Sequence, residues 1–175
     1  MKKLLAIALL ASGLMISMHE ASAQNEDKSK RPSPPAKAAA KLKSGATITI
    51  DYSQPSVKGR TIGKDLEPME GQVWRTGANE ATVFATDKDI MVKGEKLPAG
   101  KYGLFSIFNG DDVTIIFNKT WQQWGAFKYK AEDDALRIKT KATAAAPAAE
   151  KLVFTVSANE VSFVWGVKKV EFPVK

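Results

Sequence analysis

The chain has 175 residues, room for one domain, with a formal net charge of +7, no cysteine and a single histidine. Without cysteine there are no disulfides, thiolate nucleophiles or thiolate metal sites. His19 lies in a segment expected to be removed, so triads and zinc sites built on histidine are excluded too. What survives is an all-oxygen metal site or acid–base work by Asp, Glu, Lys or Tyr, and the sequence points to no metal and no cofactor.

The front end reads as a secretory signal peptide, residues 1–23. Met1-Lys2-Lys3 is a basic start, 4–16 is an apolar run, and Ala21-Ser22-Ala23 supplies small residues for cleavage. The run is too short for a membrane span. With no cysteine after it, a lipid anchor on that residue type is ruled out. The expectation is an exported protein, periplasmic or extracellular and soluble, starting at Gln24. Loss of Lys2, Lys3 and Glu20 leaves a net charge of about +6.

Residues 24–44 are polar and rich in Lys, Ala and Pro, with Arg31-Pro32-Ser33-Pro34-Pro35 at the centre. Too few apolar side chains offset the entropy of ordering, so this reads as a flexible, disordered tether. Its lysines and arginines are a solvated basic linker or a loose attraction to an anionic surface. No basic stripe interleaved with aromatics follows, which argues against nucleic acid as a partner.

The fold is expected over residues 45–175. Residues 46–52 alternate strictly, with Ile48, Ile50 and Tyr52 on one face, as in a half-buried strand. Pro55 and Gly59 break the pattern into a turn, and 63–71 is a connection carrying Pro68. A strand is expected at 81–85. Lys93-Gly94 between 90–92 and 95–97 marks a tight hairpin, and Asn109-Gly110 marks another between 102–108 and 113–117. Residues 121–129 are aromatic-rich, and 135–141 alternates again. A low-complexity loop with Pro147 is expected at 142–149, then strands at 152–156, 161–165 and 167–174. About nine or ten short strands predict an all-β antiparallel β-sandwich or jelly-roll-like barrel, large enough to fold without staples.

The candidate site centres on Val73-Trp74-Arg75-Thr76-Gly77-Ala78-Asn79-Glu80, which sets an indole, a guanidinium, an amide and a carboxylate around a glycine turn. Such a group is a buried network or a binding site. Arg75 and Glu80 bracket a four-residue loop and are placed to pair with each other. Alternatively Arg60 and Arg75 fork a carboxylate or phosphate that Asn79 and Glu80 orient. Asp51 with Glu80 would suit glycoside chemistry or calcium only with further acidic residues, which are missing. Trp74, Trp121, Trp124 and Trp165 are core indoles, with Trp121 and Trp124 alternatively stacking surfaces beside Gln122 and Gln123. Tyr52 joins the candidate ligand-binding set from the strand that carries Asp51.

The blocks Asp51-Tyr52-Ser53-Gln54-Pro55-Ser56-Val57-Lys58-Gly59-Arg60, Val73-Trp74-Arg75-Thr76-Gly77-Ala78-Asn79-Glu80-Ala81-Thr82, Leu97-Pro98-Ala99-Gly100-Lys101-Tyr102 and Trp124-Gly125-Ala126-Phe127-Lys128-Tyr129 resemble a known family. It is the secreted bacterial family called domain of unknown function 2911. The resemblance spans about 47–174 and implies a single exported domain, but no activity. Thr61-Ile62-Gly63-Lys64-Asp65 departs from the family pattern, which often has an aromatic there. Three functions stay open. The first is a non-catalytic module binding a polar small molecule such as a glycan or cell-envelope fragment, with Arg60, Arg75, Asn79, Glu80 and an indole converging on one open cavity. The second is a structural or partner-binding domain, and the third a carboxylate-dependent hydrolase.

Overall fold

The structure is a computed structural model that describes residues 27–175. The expected signal peptide lies outside the described residues. Among these, nine strands form: β1 (Pro35–Lys41), β2 (Thr47–Ser53), β3 (Thr82–Thr86), β4 (Ile90–Val92), β5 (Glu95–Leu97), β6 (Gly100–Asn109), β7 (Asp112–Asn118), β8 (Asp134–Val156) and β9 (Glu160–Pro173). Seven make one curled antiparallel sheet in the order β1-β2-β3-β6-β7-β8-β9, and β4-β5 is a small second sheet. The all-β antiparallel class is as the periodicity predicts.

The alternation places the core. Ile48, Ile50 and Phe84 are fully buried with Leu104, Ile115 and Phe117 on the concave side. Edge-to-face aromatic pairs knit them together, among them Phe84–Phe117 at 5.0 Å and Tyr52–Phe154 at 4.8 Å between centroids. The sheet curls until chain just past β2 meets β8: the Val57 amide donates to the Glu150 carbonyl and that of Leu152 to Pro55. The hairpin β4-β5 is tied to the end of β9 through a Val92–Val174 bridge. A smaller apolar cluster of Ala81, Phe105 and Ile116, with Ala126 and Tyr129 packed on it, holds the aromatic-rich loop after β7 against the sheet.

Three expectations are corrected. The tether expected at 24–44 is ordered in its described part: β1 pairs along its whole length with β2, from Pro35–Ser53 to Lys41–Thr47. Ala36 and Ala38 face the core while Lys37 and Lys41 face water. An edge strand needs a row of backbone partners more than large apolar side chains, and its outward lysines deter further pairing. The loop expected at 142–149 is part of β8. The register slips between Ala144 and Ala149, and this bulge accommodates Pro147, which has no amide to give a ladder. The two last expected strands are one, β9, bent at Gly166 (φ +59°). A Cβ there would sit 2.5 Å from the Ile62 side chain, so only glycine lets Ile62 pack.

Candidate functional site

The signature loop arises from how β6 finds its neighbours. Thr82 to Thr86 of β3 pair with Leu104 back to Gly100. Beyond Leu104 the row continues with an earlier piece of chain: Trp74 and Ser106 exchange both backbone hydrogen bonds at 2.8 Å, and the Gly71 amide reaches Phe108. Residues 76–81 are therefore thrown out of the sheet between Arg75 and Thr82, whose backbones nearly meet at 3.3 Å. The ejected loop is tight. Thr76 and Asn79 take positive φ (48° and 56°), a costly conformation for a β-branched residue. Thr76 is locked by its hydroxyl on Ser106 at 3.0 Å and by the Thr82 hydroxyl on its carbonyl at 2.9 Å.

The loop presents Asn79 and Glu80, and the chain around Trp124 docks on it. The Gly125 amide donates to the Asn79 carbonyl, the Ala81 amide donates to that of Gln123, and Glu80 bridges Trp124. Two signature blocks far apart in sequence thus share one ridge.

Glu80 does not pair with Arg75. Its carboxylate receives both oxygens' worth of contact from Arg31 (3.0 Å each) and a third from Lys28 at 2.8 Å. Burial works to raise its pKa. The hydrogen bonds from Lys28, the backbone and Arg31 outweigh this and bring the carboxyl down to about 2. The Arg31 guanidinium also lies over the Trp124 ring, 5.7 Å from its centroid. Lys28, Arg31, Asp51, Tyr52 and Glu80 line one small recess of about 170 Å³. Within it Asp51 is taken by Lys37 at 2.5 Å, and the Tyr52 hydroxyl accepts from the Phe154 amide at 3.3 Å.

Arg75 points into a second recess, of about 270 Å³, lined by Arg60, Glu67, Trp74, Asn79, Trp165 and Ser33 among others. Trp74 forms its floor, fully buried against Phe108 and Phe163, with its indole N–H on the Gly77 carbonyl at 3.0 Å. Trp165 donates to the Glu67 carbonyl at 2.8 Å. Arg60 is braced from below by the carbonyls of Val57 and Ser56. Asn79 spends its amide on the Ser33 carbonyl at 3.0 Å. The Arg75 Nε is buried and has no hydrogen-bond partner. Burial lowers the pKa of Arg75, while the charge of Glu67 works against that shift. A desolvated guanidinium nitrogen left without an acceptor costs free energy.

The expected cluster is therefore split. Arg60, Arg75, Asn79 and the Trp74 indole share one recess, whereas Glu80, Asp51 and Tyr52 line the other. Trp121 and Trp124 line neither; Trp121 lies under Lys101, 5.1 Å from its ammonium. Reading the residues alone missed Lys28, Arg31, Ser33 and Glu67, and took Trp165 for a core indole without placing it at the recess. The first three sit in the segment taken for a tether. Glu67 and Trp165 come from a connection and a strand with no local signal linking them.

Among the described residues no helix is long and apolar enough to cross a membrane. No curated protein and no solved structure matches the chain. Residues 33–174 match a family profile, which takes in every signature block and β1 as well, so the chain belongs to the family described as protein of unknown function (DUF2911).

Proposed function

We propose that the protein is an exported, non-catalytic binding module whose Arg60/Arg75 recess takes the anionic group of a small polar ligand, such as a sugar acid from the cell envelope. The observation that carries this reading is that Arg60 and Arg75 line one recess, with the Arg75 Nε buried and given no hydrogen-bond partner. Leaving such a donor unsatisfied costs roughly 1–3 kcal/mol. A carboxylate or phosphate ester bound in the recess gains charge-assisted contacts with the two guanidinium groups that line it. Glu67 on the same wall sets a limit on the ligand: it disfavours multiply charged anions and suits a group with a hydroxyl or ammonium beside its carboxylate. Export rests on the leader-like pattern of the first 23 residues.

The fold-holding reading is favoured for the other half of the cluster. Glu80 is saturated by Arg31 and Lys28, and a carboxyl at about 2 has no proton to give near neutral pH. It serves as the anchor of the N-terminal segment, and no catalytic step is assigned to it.

The test is calorimetric titration of the protein with hexuronic acids, other small hydroxy and amino carboxylates, and sugar phosphates, in wild type and Arg75→Met. Binding by wild type, lost in the variant while its melting temperature holds or rises, is the expected result. Equal binding by both, or a wild type that takes none of these anions, rejects the proposal.

A further inference from the structure

The Arg75 guanidinium reaches out of its recess as well as into it. The point where a Cβ would stand on Gly125 is 3.7 Å from Arg75 Nη1 and 3.4 Å from Cε2 of Phe127. The guanidinium and the phenyl edge therefore lie no more than about 7 Å apart. Gly125 takes φ +60° and has no side chain, so the Phe127 ring settles over the main chain there. Yet Phe127 is 85 % exposed, the most exposed large apolar side chain among the described residues. Trp124 beside it is 53 % exposed, and Arg31 already lies over its ring. Phe127 is the ring in this loop whose surface is given almost wholly to solvent. A single exposed phenyl needs no explanation. One laid on a glycine next to an unsatisfied arginine does.

We infer that Phe127 is a stacking platform for the second ring of a carboxylated glycan whose acidic residue enters the Arg75 recess. The inference rests on the binding role proposed above and names the ligand class. The separation fits a carboxylate on one sugar and the C–H face of the adjoining sugar, which packs on aromatic rings. A peptide is the poorer occupant. An extended peptide that docks as an added strand is held by main-chain hydrogen bonds, and the amides on this rim are spent. Those of Gly125, Phe127 and Tyr129 donate to the carbonyls of Asn79, Trp124 and Ala126, and that of Lys128 to the Gln123 side chain at 2.9 Å. What the rim offers is a ring face and a cation, with Lys128 exposed beside them.

The experiment compares galacturonate and mannuronate monomers with their tetramers, on wild type, Phe127→Ala and Arg75→Met. Wild type is expected to bind a tetramer at least tenfold more tightly than its monomer. Phe127→Ala should weaken the tetramer fivefold to tenfold and leave the monomer unchanged, since an exposed ring does not hold the fold. Arg75→Met should lose both. If Phe127→Ala binds tetramer as wild type does while Arg75→Met loses the monomer, the platform is refuted and the anion recess stands. If no uronate binds, this inference falls, and the recess is then judged by the amino carboxylates and sugar phosphates alone. Tighter, Phe127-dependent binding of N-acetyl-Ala-Phe than of either tetramer would overturn the glycan assignment in favour of a peptide.

Discussion

Glu80→Gln isolates the ion triad that fastens the N-terminal segment. The side chain keeps its shape and loses its charge, so Arg31 and Lys28 lose a carboxylate that each touches within 3.0 Å. A carboxyl at about 2 where the ordinary value is 4.5 corresponds to roughly 3 kcal/mol if no field leaked into solvent. Much does leak: the Glu80 side chain is 39 % exposed and that of Lys28 55 %. Arg31, at 14 %, is the well-shielded partner and grips both oxygens. Discounting for solvent leaves about 1 kcal/mol at neutral pH, or about 3 °C in melting temperature for a chain of this size. The pH dependence gives the sharper check. The folded pKa is below the unfolded one, so the stabilisation is complete above the unfolded value. It drains away as pH falls from about 4.5 to about 2. Urea denaturation of wild type and Glu80→Gln should show a gap of about 1 kcal/mol at pH 7 that closes through that window. A double-mutant cycle with Arg31→Met should return coupling of about 0.5–1 kcal/mol. A gap that stays constant down to pH 2, or a cycle with no coupling, refutes the anchor.

Two further outcomes test the scaffold around the site. Gly77→Ala places a Cβ 2.7 Å from the Thr82 hydroxyl and 3.3 Å from the Ser53 carbonyl, neither of them a free chain end. A loss of roughly 1–3 kcal/mol is expected in chemical denaturation, and a smaller loss in a Thr82→Ala background. Tyr129 is pushed up to about 12, first by burial and then by its hydrogen bond to Asp134 at 3.0 Å, so neutral tyrosine is what the fold holds. Its contribution is complete below pH 10 and lost as pH rises toward 12. Ultraviolet titration of the three tyrosines should show a last phase that vanishes in Tyr129→Phe.

The strands readable in advance were those whose local chemistry and tertiary role agree. Asn109-Gly110 marks the turn between β6 and β7 because Gly110 takes φ +62° freely, although Asn109 itself is the last paired residue of β6, opposite Asp112. Lys93-Gly94 does the same for β4 and β5, with positive φ at both positions. β1 was illegible for the opposite reason. Its residues carry almost no apolar signal, and the strand exists because β2 offers it a vacant edge while Lys28 and Arg31 fasten the chain just ahead of it. Pro147 misled in the same way, since whether a proline ends a strand depends on a register slip opposite Gly166 to Lys168 that only the folded sheet contains.

The site shows where residue chemistry runs ahead of residue geometry. Arg75 and Glu80 are near in sequence and opposite in charge, so a local pair is the natural expectation. The loop between them does not fold back as a hairpin. Arg75 ends the piece of chain laid along β6, and Glu80 rides on the ejected turn beside Trp124. Each then takes what its own side of the ridge supplies. On one side the N-terminal segment brings two cations, and Glu80 is saturated. On the other side Ser33 of that same segment brings a carbonyl, which Asn79 takes and a guanidinium nitrogen on Arg75 does not. The segment that satisfies the carboxylate thus also lines the recess that Arg75 lines, without supplying an acceptor to its Nε. That asymmetry separates a pinned structural charge from the one to which a binding role is proposed, and residues 28–33 meet both sides of the ridge.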